Sequence, residues 1–576
     1  MRKIKIVVAI LLALSLFAAL AACGGNDQPA ETGSTAPAPT GSTAPSTAPS
    51  APPAPTGTGI QEGTSVGEGG LTVTGTAVAG TIDGTIGYGQ VIEPLPGTEF
   101  EDEINLIIEV PVSMLDPQSP AGTASVNRLT YVLIYNRLTY FTEHQELVPE
   151  LATSWEANAD ASVWTFKLRD DVTFHNGDKF TAQDVIDTWT SSKNEPGSLA
   201  WDNWLEVDSM RAINDYEVEM TLVRGYSAFA YNLSLPGAGI VNKKAREADP
   251  VRGLWVGTGP FKIDDFITGT SIHFSRNDNF WKEPAITQRM NWVFVPEVAA
   301  RTVMLLNGEM DVCLSVAPRD NDMFLGANDF IVYSYAANST HSLTFSMIHP
   351  ITSDWNFRMA VAHAINREEA ALVSSGRWAK PTRDGAFLGD STPFRNTGLP
   401  MIPQDLDKAR EYLAASVYNG ETLEILTAPD TLTVSSQMLQ EQMREIGINA
   451  TVRTADVATL VSQSRFGDTN LSLLQFVGPF ELNPTAARVM LYPEMSANRA
   501  TYVNEEINEL LDKVLTEPDP AEQQRIYFRV QEIVAEEIPQ LSIFERIWTI
   551  VTHGNVGGIK VNPDMNHDLS YIFKMK

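Results

Sequence analysis

The chain has 576 residues, which at roughly 150 residues per domain corresponds to about three to four domain-sized units. Its 41 basic and 71 acidic residues give a formal net charge of −30. This charge argues against a nucleic-acid partner, because such a partner requires a basic surface. A hydrophobic content of 43% excludes wholesale disorder, and two cysteines are too few for a disulfide framework or a multi-cysteine zinc site.

The N-terminal sequence has the features of a targeting signal. Arg2, Lys3 and Lys5 precede an uncharged run at residues 6–20, which at 15 residues is shorter than the roughly 20 needed to span a membrane. The following Leu-Ala-Ala-Cys-Gly at residues 20–24 resembles a bacterial lipobox. We therefore predict a lipoprotein signal peptide at residues 1–22 and acylation of Cys23, with an ordinary cleaved signal as the alternative. Several acyl chains on one cysteine anchor a soluble domain stably.

A tether is predicted at residues 23–100. Residues 24–60 consist mainly of Gly, Ser, Thr, Ala and Pro, and the sequence Gly-Ser-Thr-Ala-Pro occurs at both 33–37 and 41–45. Such a composition cannot bury apolar surface and favours disorder. Residues 70–92 alternate Thr, Val and Ile with many glycines, which is weak strand patterning. They could form a small hairpin or continue the linker, and we assign them to the linker.

From about Glu103 onward, strand and helix patterns intermix, which indicates an α/β fold. Strands are predicted at residues 104–110, 163–168, 218–222 and 423–426. Helices are predicted after a Thr181 cap and at residues 356–372, 434–446, 507–515 and 520–537. Cys313 lies in an apolar stretch and is expected to be a small buried hydrophobe.

Several segments of this region carry a family resemblance. They lie, in order, at residues 151–155, 164–178, 181–185, 257–263, 276–281, 305–312, 357–367, 405–413 and 539–541. Together they resemble the family 5 extracellular solute-binding proteins, which are the oligopeptide-, dipeptide- and nickel-binding components of ABC importers. The resemblance covers about residues 103–576.

The resemblance implies a periplasmic-binding-protein-like type II fold with two hinged lobes and an extra subdomain in lobe I. Lobe I would comprise residues 101–135, 241–340 and 546–576, the extra subdomain residues 136–240, and lobe II residues 341–545. The implied protein is a monomer outside the cytoplasm that binds a small solute, closes over it, and docks on an ABC permease in the membrane.

The implied ligand pocket departs from the pattern of peptide-binding members. In those members, a tryptophan followed three residues later by an aspartate captures the peptide ammonium group, and an anion suits that task. Here Phe476 and Pro479 occupy the two places, and Glu481 could substitute only with a different loop path. The candidate ligand-binding residues are Gln475, Phe476, Val477, Pro479 and Glu481 in lobe II, Trp201 and Trp204 in the extra subdomain, and Thr123 in lobe I.

Alternative functions have weaker support in the sequence. The eight histidines include no His-x-x-x-His pair with a glutamate, and no Gly-x-Ser-x-Gly motif occurs, so no catalytic residue is predicted. His175-Asn176-Gly177-Asp178 and Gly257-Thr258-Gly259 are interpreted as turns. No metal cage or cofactor is predicted, although a metal chelate needs few protein ligands. A nickel-type chelate binder and a surface sensor or adhesin on the same fold remain open alternatives.

Overall fold

The computed structural model describes residues 60–67, 71–77, 81–112, 114–119, 125–142, 146–193, 199–337, 339–382, 384–385, 387–390, 392, 394–428, 431–455, 459–460, 463, 473–478, 486–493, 498, 500–517 and 519–576. The predicted signal peptide, Cys23 and the repeats of the tether lie outside these residues. Within them, no helix has the length and apolar character needed to cross a membrane.

Helices and strands alternate along most of the described chain, which confirms the predicted α/β class. The helices are α1 Ser125–Ile134, α2 Ala182–Ser192, α3 Leu199–Trp204, α4 Phe229–Asn232, α5 Lys243–Ala248, α6 Val298–Leu306, α7 Trp355–Ala364, α8 Arg367–Ser375, α9 Leu406–Ala415, α10 Thr431–Glu445, α11 Ala486–Leu491, α12 Glu505–Thr516 and α13 Pro520–Glu537. The strands are β1 Ser65–Val66, β2 Leu71–Thr74, β3 Ile86–Gly87, β4 Val91–Glu93, β5 Glu103–Ile108, β6 Thr139–Phe141, β7 Leu147–Pro149, β8 Ala152–Ala157, β9 Val163–Leu168, β10 Val207–Asn214, β11 Glu217–Leu222, β12 Phe261–Ile267, β13 Ser271–Arg276, β14 Arg289–Phe294, β15 Val312–Cys313, β16 Phe330–Ala336, β17 Thr340–Phe345, β18 Ala379–Pro381, β19 Thr422–Thr427, β20 Asn449–Thr454, β21 Leu473–Gly478, β22 Gln540–His553, β23 Val556–Gly557 and β24 Phe573–Lys574.

One large sheet of 13 described strands runs through both lobes, with the main order β12-β13-β14-β5-β15-β22-β17-β21-β19-β20. Strands β14, β5 and β15 are parallel at the lobe I end, and β21, β19 and β20 are parallel at the lobe II end. The lobe I strands pack on one group of buried side chains, and the lobe II strands pack with α7–α10 on another. Two cores joined by shared strands are the arrangement that a two-lobe protein requires.

A smaller antiparallel sheet, in the order β10-β11-β9-β8, has its own apolar core that includes Trp164, Phe166 and Trp204. Helix α2 begins as predicted at Thr181, whose backbone N–H and hydroxyl both donate to the Asp184 carboxylate. The Asn-Gly sequence forms the predicted turn, with Gly177 at φ +88°. The His175 ring lies 3.0 Å from the carbonyl oxygen of Gly259, so this histidine has a structural role.

Gly257 and Gly259 also have a packing role. A Cβ at Gly257 would lie 1.8 Å from the carbonyl oxygen of Ile134, and one at Gly259 would lie 2.3 Å from that of Leu133. These glycines allow the chain to pass against the end of α1, which agrees with their interpretation as turn residues. Cys313 is fully buried and its thiol is free, as predicted.

The assignment of the whole segment 23–100 to a tether is wrong at its C-terminal end. Strands β1, β2 and β4 form a small antiparallel sheet, and β3 pairs in parallel with β16 at Tyr333 and Ser334. Five side chains of this segment lie within the lobe I core, each no more than 2% exposed: Leu71, Val73, Ile86, Tyr88 and Ile92. These residues therefore belong to the structured body and not to a tether. The strands of this segment are only two to four residues long, and many glycines lie between them, so local patterning is weak.

The helix predicted at residues 356–372 is two helices. Helix α7 ends at Ala364, and Asn366 caps α8 by accepting a hydrogen bond from the backbone N–H of Glu369 at 2.9 Å. Asn366 adopts extended φ and ψ angles that interrupt the helix. The apolar periodicity continues across this break because both helices bury alanines in lobe II. The other predicted elements match closely, and β9 and α13 have the predicted bounds.

Candidate functional site

Strand β22 connects the two cores. Its first half pairs with β17 and β18, and its second half pairs with β16 and β15. Leu541 and Phe544 belong to the lobe II core, whereas Ile550 belongs to the lobe I core. The chain also crosses between the lobes at residues 337–339, between β16 and β17. Two neighbouring crossings of this kind form a hinge, because a few backbone torsions there can rotate one lobe against the other.

The carboxyl ends of the parallel strands indicate where the cleft beside this hinge lies. Ligands of open α/β sheets bind beyond the carboxyl ends of such strands. In lobe I, Glu109 follows β5 and Val316 lies just beyond β15. In lobe II, β21 ends at Gly478, and its Val477 pairs in register with His341 of β17. These ends meet near the middle of β22, where we place the candidate site.

Arg546 and Trp548 mark the opening of the cleft on β22. They are half-buried, whereas Glu545, Ile547 and Thr549 beside them are buried, which is the alternation expected for a strand with one open face. The Arg546 guanidinium stacks over the Trp548 ring at 4.0 Å, and its Nη2 lies 3.5 Å from the carbonyl oxygen of Val316. The buried indole N–H of Trp548 has no hydrogen-bond partner within the part of the chain that the structure describes.

His341 is the most informative side chain at the site. His341 is 2% exposed, its ring stacks on Phe544 at a centroid distance of 4.4 Å, and neither ring nitrogen has a hydrogen-bond partner among the described residues. Burial, with a smaller contribution from Arg546, lowers the pKa of His341 to about 3, so the imidazole is neutral at physiological pH. Buried polar groups without partners are uncommon in native proteins. At a cleft, such a group can receive a hydrogen bond or a metal ion from a ligand.

A buried ion pair borders the lobe I side of the cleft. The Arg301 guanidinium of α6 lies 3.1 Å from the Glu109 carboxylate and is 7% exposed, while Glu109 retains 34% exposure. On the opposite face of β22, the backbone N–H of Asp390 donates to the Glu545 carboxyl at 2.8 Å. Burial, followed by the nearby Asp390, raises the pKa of Glu545 to about 8. The charged groups at the hinge therefore lie on both faces of the same strand.

The structure tests only some of the predicted pocket residues. Gln475, Phe476 and Val477 lie on β21 next to the hinge strand β17, and only their backbone is described. Pro479, Glu481 and Thr123 lie outside the described residues. Trp204 is 1% exposed within the extra-subdomain core, so its predicted position over the cleft is wrong. The tryptophan was expected at the cleft from its polar neighbours, but it fills the core of the small sheet.

Trp201, in contrast, is half-buried on α3, and ligand contact there stays a prediction. The sequence did not single out His341, Arg546 or Trp548, because each lies in an apolar strand pattern without a recognisable motif. Only their convergence at the hinge distinguishes them. Among the described residues, no group of three or more His, Cys, Asp or Glu side chains could hold a metal ion.

This fold and cleft define a two-lobe solute-binding protein. The model of the family described as bacterial extracellular solute-binding proteins, family 5 Middle, matches residues 146–495. The chain belongs to this family, and the predicted type II two-lobe fold is confirmed.

Three similar proteins illustrate the relationship. The nickel-binding periplasmic protein of Escherichia coli strain K12 is 22% identical over 463 residues, which cover 75% of this chain and 87% of that protein. The periplasmic binding protein DppA of Helicobacter pylori, solved with the peptide STSA, has a TM-score of 0.74 at 21% identity and covers 83% of this chain and 99% of its own. NikZ of Campylobacter jejuni, solved with Ni(L-His), has a TM-score of 0.71 at 20% identity and covers 80% and 96%. At these identities the structures establish the fold alone.

Proposed function

We propose that this protein is a lipid-anchored extracytoplasmic receptor of an ABC importer that captures a peptide or a similar small solute. The solute binds in the cleft beside β22, the hinge closes, and the closed protein delivers the solute to the permease. The continuous strand β22, which pairs with both lobes, is the observation that carries this proposal. A ligand that contacts both lobes stabilises the closed state, because it binds that state better than the open one.

His341, Arg546 and Trp548 form the part of the proposed site that the described residues supply, next to the end of β21 at Gly478. The unpartnered ring nitrogens of His341 and the indole N–H of Trp548 would bind polar atoms of the solute. The absence of an acid at Pro479 argues against the amine capture used by peptide-binding members. We therefore propose that a peptide, if it is the solute, is held by its other polar groups or by Glu481.

A thermal-shift series with mixed di- to pentapeptides tests the proposal. The protein should first be unfolded in guanidinium and refolded, so that no co-purified solute remains. A ligand that binds only the folded state adds about 2.7 kcal/mol at a hundredfold excess over its dissociation constant, which raises the midpoint measurably. We expect a rise in the native protein and a smaller rise in His341→Phe. A rise of equal size in both proteins would remove His341 from the site.

A metal chelate is a second candidate solute, and His341 is the observation that favours it. A neutral imidazole with a free lone pair is a common metal ligand. Because the described residues form no metal cage, the chelator would have to supply most of the ligands. Nickel with free histidine should then raise the midpoint more than nickel or histidine alone, and His341→Phe should abolish the difference. An equal rise with nickel alone would indicate nonspecific binding.

The lipid anchor is proposed from Cys23, which lies outside the described residues. In the native host, we expect Cys23→Ala to appear in the soluble extracytoplasmic fraction, whereas the native protein sediments with membranes. Persistent sedimentation of Cys23→Ala would refute acylation as the anchor. Ser34→Ala, within the same segment, serves as the control and should remain with the membranes.

A further inference from the structure

The extra subdomain contacts lobe II at a second place, away from the hinge strand. Glu206, just before β10, accepts hydrogen bonds from two arginines, Arg224 of the same subdomain and Arg488 of α11. The Glu206 side chain is 7% exposed and that of Arg488 is 9% exposed. Removal of one partner from so well buried an ion pair is strongly destabilising, because it leaves the other charge buried and uncompensated.

Asp512 of α12 completes a cluster of two cations and two anions. Its carboxylate lies 3.4 Å from Arg224 and 3.8 Å from Arg488, and it accepts a hydrogen bond from the Tyr492 hydroxyl at 3.1 Å. The Arg488 guanidinium also stacks over the Tyr492 ring at 4.5 Å. Arg224 and Glu206 come from the extra subdomain, and the other members come from lobe II. Each part contributes one cation and one anion, and Arg488 reaches Glu206 across the interface while Arg224 reaches Asp512.

Apolar and backbone contacts continue the same interface. Leu515 of α12 is 2% exposed and belongs to the core of the extra subdomain rather than to that of lobe II. The backbone N–H of Ser227 donates to the carbonyl oxygen of Leu515, and the Ser227 hydroxyl reaches the carbonyl oxygens of Leu515 at 3.0 Å and Glu517 at 3.2 Å. We call the contacts of Glu206, Arg224, Ser227, Arg488, Asp512 and Leu515 the clasp.

We propose that Glu206 and Arg488 are positioning residues that hold the cleft closed without touching the solute. Opening at the hinge would separate Arg488 from Glu206 and withdraw Leu515 from the subdomain core. The clasp thus stabilises the closed state before any solute binds. Solute binding therefore needs to supply less of the free energy of closure. This inference rests on the proposed hinge closure.

The distance between the lobes in the solute-free protein tests the clasp. Spin labels at Thr153→Cys on β8 and Arg444→Cys on α10 would report it by pulsed electron resonance, since both positions are exposed. Cys23→Ala removes one native thiol, and the buried Cys313, whose pKa burial raises to about 11, resists labelling. We expect the native protein to have a short-distance population. In Arg488→Met, the ratio of the short-distance to the long-distance population should be about tenfold lower.

Two further variants make the result decisive. Ser227→Ala removes only one hydroxyl and should lower the short-distance population about threefold, which covers the case in which Arg488→Met fails to fold. Arg453→Met removes an ion pair with Glu424 that lies within lobe II and should leave the distances unchanged. Both proteins should keep the native circular dichroism spectrum.

The possible outcomes distinguish a failure of the clasp proposal from a failure of the proposed hinge closure. Native-like populations in folded Arg488→Met and Ser227→Ala, or a native protein with only the long distance, would overturn the clasp. A single narrow distance in every variant, with or without bound solute, would overturn the hinge closure itself. Loss of the short distance in both clasp variants but not in Arg453→Met would support the proposal.

Discussion

Segment 60–100 and the extra subdomain are both rich in β-structure, yet they depend on the rest of the molecule in different ways. The small sheet β10-β11-β9-β8 has its own core, and its inner strands β9 and β11 alternate buried and more exposed residues. Strands β1–β4 bury their apolar residues in a core built mostly by lobe I. The comparison shows that a strand is visible in a sequence when it is long enough to alternate by itself, as the six-residue strands β9 and β11 do and the two- to four-residue strands β1–β4 do not.

Deletion of residues 60–100 should have the largest effect of the changes considered. It removes five core side chains, each worth about 1.5–3 kcal/mol, from a domain whose total stability is about 5–15 kcal/mol. We expect a chain that starts at Glu103 to be insoluble or unfolded by circular dichroism. A chain that starts at Ile60 should have the thermal midpoint of the full protein. Equal midpoints for the two truncations would show that the segment is a linker after all.

A single substitution in the same segment should have a smaller effect. Ile92 is fully buried, and its carbonyl oxygen accepts a hydrogen bond from the backbone N–H of Gly558. Ile92→Ala should lower the free energy of unfolding by about 2–5 kcal/mol in urea denaturation. Leu95, three residues later, is 49% exposed, and Leu95→Ala should change it by no more than about 0.5 kcal/mol. Similar losses in both variants would contradict the described packing.

Acid should destabilise the folded protein through its buried histidines. All of them lie outside segment 60–100, which contains no histidine. Burial lowers the pKa of His175 to about 4 and those of His341 and His567 to about 3. Because each folded-state pKa lies below the unfolded value of about 6.5, the stability is fully present above pH 6.5 and is lost as the pH falls towards 4. The thermal midpoint should therefore fall below pH 6.5, and less steeply in His567→Phe. An unchanged slope would show that His567 does not take up its proton on unfolding.

The smallest expected effect concerns the break between α7 and α8. Asn366→Ala removes the side-chain oxygen that accepts from Glu369, so it should cost about 1 kcal/mol in urea denaturation. Asn366→Asp preserves the cap and should cost less. An Asn366→Ala protein as stable as the native one would show that the cap is not needed for the break.

These elements show what the sequence can and cannot predict here. Residues 163–168 and 520–537 have the predicted bounds because each satisfies a local period and has clear turn or cap signals at its ends. Residues 71–74 and 86–87 were missed because these strands are only four and two residues long and glycines interrupt the period. A helix was predicted across Asn366 because apolar periodicity outweighed a single cap residue.

The candidate site was harder to predict than the fold. The resemblance pointed to residues 475–481 as candidates, but it could not indicate that β21 pairs with the hinge strand β17. His341 becomes notable only when its burial and its unpartnered nitrogens are known. Trp204 is of a residue type that can stack on a ligand, yet it packs in the core of the extra subdomain. Long-range strand pairing places His341 and tertiary packing places Trp204, and no local sequence pattern contains either.

The most direct test of solute capture is isothermal titration of the solute that gives the largest thermal shift. We expect the native protein to bind it with one-to-one stoichiometry and His341→Phe to bind it at least about tenfold more weakly, which corresponds to about 1.4 kcal/mol. His349→Phe, at a half-buried histidine outside the cleft, should bind like the native protein. If no peptide and no metal chelate binds the refolded native protein, or if His341→Phe binds as tightly as the native protein, the proposed cleft is contradicted.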